Sequence, residues 1–586
     1  MKQESEWRLT DIYKSASELE QDITRIKRLV DDIEKSKKLL EHPTKEAVND
    51  ILKRLEKLAF ILDKLENYSY LKFSQDTRIE ESNSLLTKIR ELSSQVNSKT
   101  VFFKLWWARI DSKLAKAVEP ENSDFKRYLQ LIRKKERYLL GEEAERAISL
   151  KDLTANAGWV KLYEMITSNF TYSLRVNGKY MKDDKGKVKL LSSGELVQYF
   201  YSSDPSLRKA AYDSLLGKYR DNSTLLSEIY INIVKDWMNE QVNLRNFQSA
   251  ISARNVDNDI SDKAVEALLS ACRANASTFQ DFFSLKSKLL GQKITRYDIY
   301  APLEKESKKY TFPEAAKIVL DAFERFDEHF SSLAKNVISQ QHIDYLPRAG
   351  KVSGAFCATP AAGYTPYILL NFTGDSKSVY TLAHESGHAV HSQLASNHSQ
   401  LTFHAPLVLA ETASVFGEML LYDYLSGNQK SSSSLSHMLT QLYSTIQRQA
   451  YISIFEIDAF KQISNGSSLK GLCNLYLKNL QEQFGGSFTI PGIFSYEWLY
   501  IPHIFRTPFY CYAYAFGNLL ALSLFNMYKE EGKSFVSKYI KILSCGGSES
   551  TAKILADSNI DIESRKFWDR GYKVVKNMLE ELKDYS

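Results

Sequence analysis

Cysteine is scarce in this sequence and poorly placed for chemistry. The five present, Cys272, Cys357, Cys473, Cys511 and Cys545, are odd in number, far apart and without a C-x-x-C pair. That distribution excludes a disulfide framework and a thiolate zinc site, and it fits reduced thiols in a cytosol. Long hydrophobic runs are missing too. No stretch reaches about 18 uncharged apolar residues, and the start, MKQESEWRLTDIYKSASELEQ, has no apolar core of signal-peptide type. A soluble, unexported, cytoplasmic chain with no membrane partner is expected. A dominant charge is also absent. Lys and Arg number 77 against 71 Asp and Glu, a net of +6 with no long basic run, so there is no electrostatic footprint for nucleic acid. Internal repeats and long Pro/Gly/Ser linkers are lacking. What is present is a chain of 586 residues, 44% apolar, enough to bury a sizeable core.

Helical periodicity dominates. Val48, Ile51, Leu55, Leu58, Leu62 and Leu65 recur at spacings of three and four, which predicts one apolar stripe on a long helix after Pro43, capped by Thr44. Two stretches differ. YSLRVNGKYMKDDKGKVKLL (172–191) alternates around Asn-Gly and Lys-Gly turn signals and predicts short strands. VSGAFCATPAAGYTPYILLNF (352–372) places two β-prone runs around Pro360–Gly363, a hairpin loop by composition.

Histidine is sparse as well, ten in all, yet three fall within eight positions of TLAHESGHAVHSQLA (381–395). D-S-K-S (375–378) offers caps just before them, so His384 and His388 should sit mid-helix on one face, one turn apart. Two imidazoles so placed can reach one zinc ion at roughly 2.0 to 2.1 Å, and Glu385 between them can take a proton from water on that ion. His391 is read as a residue behind the ligands, because a catalytic zinc needs three protein ligands and an open position. The metzincin pattern would need Gly at 391 and His at 394, and the chain has His391 and Leu394.

The third ligand must come from elsewhere. APLVLAETASVFGEMLLYDYL (405–425) predicts a single helix in which Glu411 and Glu418 share a face amid apolar residues. Carboxylates there need partners. Glu411 is taken as the ligand and Glu418 as the acceptor that orients a histidine N–H. In YIPHIFRTPFYCYAYAFGNLL (500–520), Pro508 is expected to open a helix, with His503 in the loop before it. Tyr510 and Tyr514, four apart, would then share a face, with Tyr512 directed away. Tyrosine hydroxyls and an imidazole N–H suit an oxyanion.

TLAHESGHAVHS, then LAETASVFGE, then HIFRTPFYCYAYAFG resemble the M3 family of zinc metallopeptidases, specifically its bacterial oligoendopeptidase F branch. WRLTDIYKSASELEQDI, YDIYAPL, PRAGKVSGAFCA and LSCGGSESTAKILADSNIDI are similar to that branch in order and spacing, so the resemblance spans nearly the whole chain. It implies a mainly α, closed, clam-like fold with a deep channel and a small sheet beside the H-E-x-x-H helix. It implies internal cleavage of short unstructured peptides by a zinc-bound water that Glu385 activates. One zinc per chain would be held by His384, His388 and Glu411, with His503, Tyr510 and Tyr514 in the catalytic set. Residues 1–195 are expected to form an N-terminal helical lid region and 196–586 the catalytic domain. Asn246 stands where relatives commonly have glycine, and Thr551 where they often have proline.

An edge strand at Gly354, Ala355, Phe356, Cys357 and Ala358 would offer main-chain groups to an extended substrate. A hairpin that only packs beneath the helix is the alternative. Short peptides are the expected partners, and a monomer is favoured. Two other functions fit less well: a zinc carboxypeptidase, and a non-catalytic helical peptide-binding protein, which would have no need of Glu385.

Overall fold

A computed structural model of the protein describes residues 6–303, 308–425 and 431–585. Among these residues the chain is mainly α-helical, with two small sheets. It packs as two compact units, each assembled from three separated stretches: 6–137, 308–425 and 527–560 in the first, 138–303, 431–526 and 561–585 in the second. These units are drawn by packing, and they do not follow the sequence division expected at residue 195. The N-terminal helices bury their apolar faces in the same core as the strand Tyr367–Leu369. No helix among the described residues is long and apolar enough to cross a membrane.

In the first unit, helices Ala16–Lys35, Lys45–Gln75 and Glu80–Arg109 form an antiparallel-type packing layer. Thr44 caps the second by accepting the Ala47 N–H, and all six residues of its predicted stripe are buried. This layer closes over a three-stranded sheet. Numbering all strands in chain order, β1 is Arg175–Val176, β2 Lys179–Tyr180, β3 Ile343–Asp344, β4 Phe356–Ala358 and β5 Tyr367–Leu369. The sheet order is β3-β5-β4, with β3 parallel and β4 antiparallel to β5. β4 is therefore an edge strand, as expected, and Gly363 in its connection to β5 has φ +86°. β3 was not predicted, since two residues are too short to show alternation.

A buried charge cluster pins the loop that leads into β4. Lys351 Nζ donates to the Leu346 and Leu370 carbonyls and, at 2.6 Å, to Asp344 Oδ1, while Arg348 bonds the other Asp344 oxygen. Asn371 then fixes the chain by donating to the Val352 and Gly354 carbonyls.

The second unit contains the β1–β2 hairpin, joined by Asn177-Gly178 with both φ positive, as the Asn-Gly signal predicts. It also contains the helices Pro205–Asp221, Ser223–Trp237, Arg448–Ser464 and Leu469–Phe484. Buried ion pairs Arg208–Asp298 and Arg296–Glu497 lie in its interior.

Candidate active site

The histidine helix is Ser376–Leu394, and Asp375 closes its N-terminus by accepting the Ser378 N–H at 2.9 Å. His384 and His388 share a face, their ring centroids 4.9 Å apart. This helix crosses Thr412–Tyr424 at two glycines. A Cβ on Gly387 would collide with the Ala413 carbonyl, and one on Gly417 would lie 2.9 Å from the Ala383 carbonyl oxygen. Only a missing side chain lets the two backbones approach this closely. Sequence reasoning passed over this pair, although the signal was there: the glycine inside H-E-S-G-H and the one in V-F-G-E.

The stretch 405–425 is not one helix. Leu407–Ala410 ends, Glu411 occupies the junction, and Thr412–Tyr424 follows. Glu411 Oε2 lies 3.4 Å from His384 Nε2 and 3.6 Å from His388 Nε2. Ligands about 2.0–2.1 Å from a shared ion at tetrahedral angles stand about 3.3–3.4 Å apart, close to the two distances from Glu411 to the histidines. Among the described residues, these three form the one group of His, Cys, Asp or Glu side chains that could hold a metal, their donor atoms within 4.8 Å of one another. Ser414, another residue missed in the sequence, donates to Glu411 Oε2 at 2.8 Å.

Glu418 pairs with His384 Nδ1 at 2.6 Å. In the neutral ring, a proton on Nδ1 held by this carboxylate leaves the Nε2 lone pair toward Glu411. Burial disfavours the His384 imidazolium, but the Glu418 hydrogen bond and charge carry it up to about 9. Burial and the charge of His384 push His388 down to about 4. Burial opposes the Glu411 carboxylate, yet His388, His384 and Ser414 together hold it below its ordinary value. Glu385, 6% exposed, is pushed up to about 7 by burial, against the pull of His384 and with the repulsion of Glu411 and Glu418. Burial and His388 lower His391 to about 4, and it stands outside the ligand group.

The edge strand β4 packs against the histidine helix. Burial and the Glu385 charge push the Cys357 thiol well up, which makes the strand an electrostatic neighbour of that carboxylate. The regular strand is narrower than expected. Gly354, with φ +84°, precedes it, and the Gly354 carbonyl is already occupied by Asn371.

In the second unit the tyrosines meet by a route other than helical phase. His503 lies in a short helix, Pro502–Arg506, and not in a loop. Pro508 does not open the next helix, which begins at Tyr512. Instead the Tyr510 N–H donates to the Thr507 carbonyl at 3.2 Å, closing a turn. The Tyr510 and Tyr514 rings stand 5.2 Å apart, and the His503 ring is 6.1 Å from the first and 5.9 Å from the second. Burial, Arg448 and Arg506 push the His503 pKa down, favouring neutral imidazole. Tyr512 is fully buried, and its Oη accepts from Asn258 Nδ2 at 2.7 Å.

Two imidazoles one helical turn apart, a glutamate between them and a carboxylate at the junction before the next helix define the class of H-E-x-x-H metallopeptidases. Known sequences narrow the class. The sequence model of peptidase family M3 matches residues 198–574 and that of oligopeptidase F residues 109–172, and the chain belongs to peptidase family M3. It is 28% identical to an oligoendopeptidase F homolog of Borreliella burgdorferi, over 98% of this chain and 97% of that one. To oligopeptidase PepF of Bacillus subtilis it is 26% identical, over 100% of this chain and 88% of the relative. The fold is similar to a solved peptidase structure from Chlamydophila abortus, with a TM-score of 0.86 at 23% identity, covering 99% and 98% of the two chains. It is also similar to oligoendopeptidase-F from Enterococcus faecium, with a TM-score of 0.70 at 20% identity, covering 97% and 99%.

Proposed function

We propose that this peptidase is a zinc-dependent endopeptidase that cuts internal bonds of short unstructured oligopeptides. The observation that carries the reading is the His384–His388–Glu411 triangle, whose spacing suits one tetrahedral ion per chain. Zinc held there supplies Lewis acidity, polarising the scissile carbonyl and making water acidic enough to attack near neutral pH.

The remaining work falls to side chains. Glu385, next to His384 in sequence and not among the ligands, takes the proton from the attacking water and returns it to the leaving amine. Glu418 holds His384 in the tautomer that presents Nε2. His391 backs the helix behind the ligands. Tyr510 and Tyr514, with His503, serve as donors to the tetrahedral oxyanion. The open edge of β4 bonds the substrate main chain, with Ala355, Phe356, Cys357 and Ala358 contributing and Gly354 fixing the entry of the strand. Residues 196–586 carry the catalytic side chains, a reading supported by the family match over 198–574, and 1–195 are assigned a covering role over them, in keeping with the packing of residues 6–137 in one unit with 308–425. We place the protein in the cytoplasm as a monomer, because all five cysteines are free and one chain supplies the full ligand set.

The test is incubation of purified protein with a library of short peptides, with and without a chelator, read by mass spectrometry. Internal fragments that vanish with chelator are expected. Stepwise loss of C-terminal residues would make the protein a carboxypeptidase, and chelator-insensitive cleavage would remove the metal from the chemistry.

A further inference from the structure

The turn Thr507-Pro508-Phe509-Tyr510 holds an aromatic residue in a place that ordinarily takes glycine. Its closing hydrogen bond runs from the Tyr510 N–H to the Thr507 carbonyl, with Pro508 second and Phe509 third. Phe509 has φ +58°. A proline second and a positive φ third describe a type II turn, where Gly or Asn usually occupies the third position. A bulky side chain there is a backbone outlier that the surroundings must enforce. The type I turn, which phenylalanine adopts freely, differs mainly by a flip of the peptide joining the second and third residues.

That one peptide is gripped at both of its polar atoms. Glu456 Oε1 accepts the Phe509 N–H at 2.9 Å, and Arg254 Nε donates to the Pro508 carbonyl at 3.1 Å. The two side chains come from different helices, Arg448–Ser464 and Ala250–Asp257. A flip would turn the N–H toward the guanidinium and the carbonyl toward the carboxyl, losing both bonds. Glu456 is wholly buried, and its Oε2 has no hydrogen-bond partner, a costly placement for a carboxyl. Arg254 lies over the Trp237 ring and faces Asp257 at 3.5 Å. The Phe509 ring packs against Phe460 at 4.5 Å, which explains why a side chain is kept where glycine would relax the backbone.

We infer that Glu456 and Arg254 are positioning residues for the peptidase reaction, locking the Pro508–Phe509 peptide in the type II orientation that brings Tyr510 beside His503 and Tyr514. This rests on the reading of Tyr510 as an oxyanion donor. Burial pushes Glu456 up to about 8, against the Phe509 N–H and Arg254. In the turn Glu456 serves as an acceptor, taking the Phe509 N–H on Oε1, and a glutamine amide oxygen supplies the same acceptor.

The experiment is steady-state kinetics on one quenched fluorescent peptide, with zinc content measured for each variant. Glu456→Met is expected to lower kcat about ten- to a hundred-fold with KM within about twofold, the pattern of a misplaced transition-state group. Glu456→Gln should stay within about threefold of the parent. Arg254→Met, at a partly exposed site, should reproduce the kcat-only loss and keeps the inference testable if Glu456→Met does not fold. Combined with Tyr510→Phe, either variant should add nothing to the loss from Tyr510→Phe alone. Parental kcat in Arg254→Met, Glu456→Gln as slow as Glu456→Met, or multiplying losses in the double variant would each overturn the inference. Parental kcat in Tyr510→Phe would instead overturn the donor role. A crystal structure of Arg254→Met then decides the turn separately: negative φ at residue 509 supports the clamp, and retained positive φ overturns it.

Discussion

Glu418 lies 2.6 Å from His384 Nδ1, and on the zinc reading proposed above that contact leaves Nε2 as the nitrogen for the metal. Glu418→Ala should lower zinc affinity about ten- to a hundred-fold, measured by competition with a chromogenic chelator. Glu385→Gln is expected to keep full zinc and lose turnover by several orders of magnitude, since it removes a base and no ligand. Recovery of this variant without zinc would make Glu385 a ligand. Among the tyrosines, burial separates the roles. Tyr510→Phe and Tyr514→Phe should each lose about 2 to 4 kcal/mol of transition-state stabilisation, roughly thirty- to a thousand-fold in kcat, with little change in KM. Tyr512→Phe strands Asn258 Nδ2 in the interior and should cost about 1–3 kcal/mol of stability, seen in denaturant unfolding, while kcat stays within a few-fold. Residue identity was readable even at the two family departures. Asn246 has φ +59°, a backbone that asparagine tolerates nearly as glycine does. Thr551 is the first residue of helix Thr551–Ala556, the position proline favours.

At the scale of elements, the crossing of Ser376–Leu394 with Thr412–Tyr424 sets how near Glu411, at the head of the second helix, comes to the two histidines, and so, on the proposed zinc reading, whether the three can share an ion. Gly387→Ala should push the helices apart, costing about 1–3 kcal/mol of stability and lowering zinc content together with activity; thermal unfolding and elemental analysis of the same preparation would show both. An alanine variant with parental zinc and stability would mean that the close approach is not needed. Helices were the legible elements. The stripe from Val48 to Leu65, the Thr44 and Asp375 caps and the Asn177-Gly178 hairpin are local signals, and each appears where the pattern places it. The junction at Glu411 was not legible, because residue preferences run through it without a breaker. Pro508 was ambiguous for a plain reason: a φ near −65° serves the first position of a helix and the second position of a turn equally well. The contacts from Glu456 and Arg254 favour the turn, and they come from more than 50 residues away in sequence.

For the whole molecule, stability should carry a signature of Lys286. This lysine is 1% exposed, its Nζ donating to the Ile299 carbonyl and Thr440 Oγ1. Burial and the charge of Arg208 lower it to about 7, against the pull of Asp298. The unfolded chain holds that proton up to about pH 10 while the folded chain releases it near 7, so the unfolded state binds more protons in between. Stability therefore rises with pH across that window, by up to about 1.4 kcal/mol per unit from this group, and below it the full cost of the buried charge applies. Urea unfolding of Lys286→Met from pH 6 to 9 should show a flatter rise than the parent; an unchanged slope would mean that the lysine titrates normally. The sequence by itself determined a helix-rich chain, the two histidines on one helical face, and two glutamates that needed partners. Periodicity, caps and composition act over a few residues, and such signals survive in one dimension. Tertiary structure alone decided that Glu411 sits at a break between two helices, 3.4 and 3.6 Å from the two histidine Nε2 atoms, that two glycines let the helices meet, and that a turn at Pro508 and Phe509 brings Tyr510 to Tyr514. Each of these depends on backbones and side chains that approach from distant stretches of the chain, a relation that no local pattern records.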